Sequence, residues 1–162
     1  MWGKRHTNKR FLYSQTVKHL LFFGYGNPGR GDDALGPLCV EKTILSDCKA
    51  VSCRIDMQLL VEHVTDLQDQ DEIIFVDADM RCVEPFEFSA IFAQKDDSYT
   101  SHAITPAALL YVYRLVYQRE PPAAFLLRIR GYDFALGDRL SKKAAINLEA
   151  AIQFIDRRYL HL

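Results

Sequence analysis

Short apolar runs alternate along the chain with longer stretches whose apolar positions recur every three or four residues, the mark of strands interleaved with amphipathic helices. Val17 to Phe23 is the first run, β-leaning and closed by Gly24, and is expected to form a strand. Beyond a glycine-rich turn, Leu35, Leu38, Cys39, Lys42 and Leu45 fall at helical spacing, with Gly36-Pro37 in the first turn, where proline costs little. That helix is expected to end near Asp47 to Lys49. Val51, Cys53 and Ile55 then alternate with Ser52 and Arg54 into Asp56, a short strand with an acid at its carboxyl end. Met57 to Gln68 carries Leu59, Leu60, His63, Val64 and Leu67 on a helical period, which predicts a second helix with His63 as a packing residue.

Ile73 to Val76 are four consecutive apolar residues, suited to a strand covered on both faces, and the run closes on Asp77 and Asp79. Phe86 to Phe92 reads as an edge strand, preceded by Pro85 and interrupted by Glu87. Ala93 to His102 is a polar loop. Thr105-Pro106 pairs a good cap with proline at the first helical position and opens a helix to about Arg119, which Pro121-Pro122 stops. Ala124 to Ile129 is a further strand, and Ser141 caps a final helix to about Tyr159. Strands separated by such helices imply an α/β fold: a mostly parallel sheet with a layer of helices on each face. Ligand sites in such sheets form at the carboxyl ends of the strands, where the Gly24 to Asp33 turn, Asp56, Asp77, Asp79 and the Ser101-His102 loop are expected to collect.

A length of 162 residues suits one compact domain, expected over 17–162, preceded by an extension over 1–16. Twenty basic residues balance twenty-one acidic ones, so total charge calls for neither nucleic acid nor an acidic membrane as partner. The balance is uneven, since Lys4, Arg5, Lys9, Arg10, Lys18 and Arg30 all precede Asp32, the first acid; a solvated basic extension is the expected reading. Leu20 to Phe23 is too short to span a bilayer. The four cysteines are irregularly spaced with no CxxC, which fits reduced thiols in a cytoplasmic protein, with Cys39 and Cys53 as small buried side chains.

Asp33, Asp77 and His102 together offer two hard oxygens and an imidazole nitrogen, an open set suited to a borderline transition metal if the fold brings them together. Plainer readings stand beside it. Asp33 would suit the positive end of the helix it opens, and Asp32 has a stronger claim to cap that helix. Asp77 suits a solvated strand end, and His102 a surface or capping position. Asp56 either braces the site or holds its own strand-to-helix turn. Phosphate is disfavoured: Gly24-x-Gly26 starts like a dinucleotide fingerprint, but Asp32-Asp33 places negative charge where a pyrophosphate would lie. Gly24-Tyr25-Gly26-Asn27-Pro28-Gly29 resembles the opening of peptidyl-tRNA hydrolases, yet the chain continues without the histidine they need.

Taken whole, Gly24-Tyr25-Gly26-Asn27 through Gly31-Asp32-Asp33-Ala34-Leu35-Gly36 resembles the signature of the hydrogenase maturation endopeptidases. The likeness continues through Asp56, Leu59-Leu60, Ile73 to Ala78, Ser101-His102, Gly131, Gly137 and Leu140-Ser141. It implies an α/β sandwich around a twisted, mostly parallel five-stranded sheet. It also implies that Asp33, Asp77 and His102 form a metal-contacting, catalytic set supported by the turn residues. Asp33 stands where the family has Glu or Asp, and its reach is shorter by a methylene than that of Glu. The expected activity is removal of a short C-terminal peptide from the nickel-loaded precursor of a nickel-iron hydrogenase large subunit. Nickel would come with the precursor, and no permanent organic cofactor is expected. A non-cleaving binder of the same precursor and another small α/β peptidase are the rival readings. The sequence leaves the homo-oligomeric state open.

Overall fold

The computed structural model describes residues 18–96 and 103–159. The basic extension and the Ser101-His102 pair lie outside the described residues. Five strands, β1 (Leu20–Tyr25), β2 (Val51–Asp56), β3 (Glu72–Asp79), β4 (Phe86–Ile91) and β5 (Ala123–Arg130), form one sheet in the order β2-β1-β3-β5-β4. All pairings are parallel except the antiparallel β4–β5 pair at one edge. The edge position expected for Phe86 to Phe92 therefore holds, with the strand ending at Ile91.

Alternation along the strands divides the core in two. Leu20 and Phe22 of β1, Ile74 and Val76 of β3, and Leu127 and Ile129 of β5 face α1 (Leu35–Lys42) and α3 (Lys142–Tyr159). Leu21, Phe23, Ile73, Phe75 and Ala124 point the other way, onto α2 (Pro106–Tyr117) and a 3-10 segment, Val61–Leu67. The result is the expected three-layer sandwich, because strands buried on both faces need a cover on each. Among the described residues no helix is long and apolar enough to cross a membrane.

The helix ends follow local chemistry. Thr105 Oγ1 accepts from the Ala108 amide at 3.2 Å, and Pro106 follows it, as the sequence predicts. Ser141 Oγ likewise accepts from the Ala144 amide at 3.2 Å and opens α3. Three expectations are corrected. The helix predicted over Met57 to Gln68 is a 3-10 segment confined to Val61–Leu67, because Leu59 and Leu60 are drawn into contacts with Ile104 and Ala103. The helix after the turn ends at Lys42; Thr43 is extended and its hydroxyl accepts from the Leu45 amide, starting a separate 3-10 turn, Ile44–Asp47. Cys39 is buried as expected, but Cys53 is exposed because β2 is an edge strand with an open face.

One close approach fixes α1 on the sheet. A Cβ on Gly36 would lie 2.4 Å from the Tyr25 carbonyl oxygen and 2.6 Å from that of Val76, so the first turn of α1 rests on the backbones of β1 and β3. Gly36→Ala is expected to lower the unfolding free energy by about 2 kcal/mol, since neither carbonyl has room to withdraw. Urea unfolding of the purified variant checks this, and an unchanged midpoint would contradict the packing.

Candidate functional site

The turn after β1 bends back on itself through its own polar groups. The Asn27 amide donates to Asp33 Oδ2 at 2.8 Å, the Gly29 amide donates to Asn27 Oδ1 at 2.9 Å, and the Arg30 amide donates to the Asn27 carbonyl at 3.0 Å. The Gly26 amide donates to the Asp56 carbonyl at 3.1 Å, tying the turn to the end of β2. Asp33 is thus held by a backbone donor six residues upstream. Its other oxygen, Oδ1, lies beside Gly26, where a Cβ would come within 2.0 Å of the Asp33 carbonyl oxygen. Gly26 has φ 146°, so a side chain is excluded on both conformational and steric grounds.

Asp32, which the sequence favours as the helix cap, does something else. Its carboxylate is wholly buried and accepts from the Tyr132 amide (2.7 Å), the Asp133 amide (3.0 Å), the Ser141 amide (2.7 Å) and the Ser141 hydroxyl (2.8 Å). No side chain caps the first turn of α1. Asp32 instead clamps the turn to the loop between β5 and α3. Burial pushes its pKa up, but these donors outweigh burial and hold it below the ordinary carboxylate value. Gly31, at φ 56°, makes room for the same junction: a Cβ there would meet the Asp133 carbonyl oxygen at 2.4 Å.

Asp77 lies near the carboxyl end of β3 and is partly buried. Burial pushes its pKa up to about 7; hydrogen bonds from the Tyr25 hydroxyl and the Ala78 amide pull the other way, and the charges of Asp33 and Asp79 add to the rise. Asp33 and Asp77 are therefore close enough to repel, the arrangement that a bound cation would relieve. Tyr25, in turn, is kept protonated far above the ordinary phenol range by burial and by Asp77. Sequence reasoning missed Tyr25, because a tyrosine at the end of an apolar strand carries no sign of the carboxylate beside it. Tyr25→Phe removes one donor to the Asp77 carboxylate, and the pKa of Asp77 is expected to move up from about 7. A carboxyl carbon titration by NMR reads this directly, and a downward shift would refute it.

Asp79 is not part of the site. Its Oδ1 accepts from the Arg81 amide at 2.6 Å and Oδ2 pairs with Arg128 at 3.3 Å, so it shapes the turn after β3. Asp56 resolves toward the second of its two readings: Oδ1 accepts from the Met57 amide at 2.7 Å and Oδ2 bonds His63 Nε2 at 3.2 Å, holding the chain as it leaves β2. His63 is buried as predicted, edge-on to Phe23 at 4.9 Å, but it is also hydrogen-bonded through both ring nitrogens. A cavity of about 370 Å³ opens beside the turn between Pro28, Pro37, Leu38, Ile55 and Met57, with the Glu41 and Asp56 carboxylates on its wall.

Of the three predicted metal contacts, Asp33 lies within range to add its charge to the raised pKa of Asp77, and His102 lies outside the described residues. Among the described residues no group of three or more His, Cys, Asp or Glu side chains is arranged to hold a metal ion.

A three-layer α/β sandwich with acids gathered near the carboxyl end of its sheet is the class of protein that the geometry defines. The fold is shared with solved structures. The [NiFe] hydrogenase maturation protease HycI from Thermococcus kodakarensis KOD1 is 19% identical, with 86% of this chain and 91% of that one covered at a TM-score of 0.66. The hydrogenase maturating endopeptidase HybD from E. coli gives the same identity, coverage and TM-score. The hydrogenase 2 maturation peptidase from Thaumarchaeota archaeon SCGC_AB-539-E09 is 23% identical, with 87% of this chain and 97% of that one covered at a TM-score of 0.61. No family model matches the sequence, and no curated protein matches it significantly. At these identities the shared property is the fold.

Proposed function

We propose that this chain is a hydrogenase maturation endopeptidase that removes a short C-terminal peptide from the nickel-loaded precursor of a nickel-iron hydrogenase large subunit. What supports the reading is the fold, shared with hydrogenase maturation proteases, together with the buried Asp77 near the end of β3, whose raised pKa the Asp33 charge in the glycine-rich turn adds to. Neither carboxylate is neutralised by a basic side chain in the hydrogen bonds described, which suits a site whose countercharge arrives with the substrate. Nickel is substrate cargo in this reading. Asp33, Asp77 and His102 contact it, and docking beside it fixes the adjoining peptide bond for attack by water. Burial raises the pKa of Asp77 to about 7, so metal contact there displaces a proton that burial helps it to keep.

The test is incubation of candidate large-subunit precursors with the purified protein, with and without bound nickel, followed by intact-mass measurement. Loss of one defined C-terminal peptide from the nickel-loaded form alone is the expected result. Binding without any mass change would replace the enzyme with a non-cleaving precursor binder, and cleavage of generic peptides would replace it with a broader peptidase.

A further inference from the structure

Leu60 and His63 hold each other reciprocally: the Leu60 amide donates to His63 Nδ1 at 2.9 Å, and the His63 amide donates to the Leu60 carbonyl at 3.1 Å. With Nδ1 accepting, the ring proton is on Nε2, which donates to Asp56 Oδ2 at 3.2 Å. The ring is 5% exposed and braced edge-on by Phe23, so its orientation is fixed on every side. What the ring holds in place is a docking strip. Leu60 forms an isolated antiparallel bridge with Ala103, and the Ile104 amide donates to the Leu59 carbonyl at 3.0 Å. Ala103 and Ile104 directly follow His102 in the chain and directly precede Thr105, which caps α2.

We infer that His63 is a positioning residue: through the Leu59–Leu60 strip it fixes the Ala103–Ile104 segment, and with it the point from which the chain reaches His102. The consequence for turnover rests on the endopeptidase reading, in which His102 contacts the substrate nickel; the consequence for the strip does not. A residue that supports a ligand from behind commonly changes activity by about 10- to 100-fold when removed. The ordinary alternative is that His63 only fills space against Phe23, and two substitutions separate these roles. His63→Phe keeps the ring packing and loses both hydrogen bonds. His63→Asn loses the ring but keeps an acceptor near the place of Nδ1.

Amide hydrogen exchange at Leu60 and Ile104, with Ile74 in β3 as the folding control, is measured alongside the processing rate of nickel-loaded precursor. In His63→Phe, exchange at Leu60 and Ile104 is expected to accelerate at least about tenfold with Ile74 unchanged, and processing to fall about 10- to 100-fold in kcat. His63→Asn is expected to recover most of the protection and most of kcat. Should His63→Phe fail to fold, Asp56→Ala breaks the same tether at its outer end and is expected to move both readouts in the same direction by less. Wild-type protection at Leu60 and Ile104 in His63→Phe, or an asparagine variant no better than the phenylalanine one, would overturn the inference. If the wild-type protein processes no precursor, the endopeptidase reading falls, while the exchange results still decide the tether.

Discussion

Asp32→Ala is expected to lower the unfolding free energy by about 3–5 kcal/mol, the largest stability loss of any single substitution at the turn. The carboxylate is buried and accepts from three backbone amides and one hydroxyl, on residues 100 or more positions away in the chain. Alanine leaves these donors facing a void, and the cost is their unrecovered desolvation. Asp32→Asn retains the shape but turns an amide donor toward groups that are themselves donors, so it is expected to lose less than alanine and more than half as much. The sign of the pH dependence follows from the depressed pKa. A carboxyl that ionises more readily when folded contributes its full stability above the unfolded value of about 3.9, and loses it as pH falls through the lower folded value. Chemical denaturation of wild type and Asp32→Ala should therefore give a wide, constant gap from neutral pH to about pH 5, narrowing only in stronger acid. A gap below about 1 kcal/mol at pH 7 would show that the clamp is not holding the turn.

Asp77→Asn is expected to act in opposite directions on activity and on stability. On the endopeptidase reading, processing of nickel-loaded precursor should fall at least about 100-fold, because the neutral amide supplies no charge for the metal. Stability of the substrate-free protein should instead rise at high pH. Here the folded pKa is raised to about 7, so the folded state holds a proton that the unfolded chain has already lost. The contribution of Asp77 to wild-type stability is therefore highest below the unfolded value of about 3.9 and declines as pH rises to about 7, by up to about 4 kcal/mol, then levels off. The asparagine variant lacks this decline. Thermal unfolding across pH 4 to 9 measures it, and intact-mass assays measure the processing. A variant that is fully active, or that shows the wild-type decline, would remove Asp77 from the role assigned to it. The combination is the signature of a group kept for function at a cost in stability.

Much of the fold was legible from the pattern alone, for a local reason. Ile73 to Val76 had to be covered on both faces, the alternation in β1 divides Leu20 and Phe22 from Leu21 and Phe23, and Thr105-Pro106 and Ser141 carry their caps in their own chemistry. The errors fall where a distant partner overrides the local preference. Met57 to Gln68 has helical spacing, yet Leu59 and Leu60 bond across to Ile104 and Ala103, leaving only the 3-10 segment. Cys53 is apolar enough for a core, but whether its strand lies inside the sheet or at its edge depends on strand order, which no stretch of β2 encodes by itself.

The acidic site divides in the same way. The sequence by itself placed Asp33 in a glycine-rich turn and Asp77 near the end of a buried strand, because glycine spacing and apolar runs are local signals. The resemblance already favoured Asp33 over its neighbour Asp32 for the site, but only the tertiary structure gave Asp32 its own task, because its partners lie 100 or more positions away. Asp32 is drawn inward by Tyr132, Asp133 and Ser141, and Asp33 stays within its own turn, held by the Asn27 amide. The same holds for Tyr25 on Asp77 and for Leu59 and Leu60 against Ile104 and Ala103: each matters through a partner set by chain crossing, and a hydrogen bond between residues far apart in sequence leaves no periodicity to read.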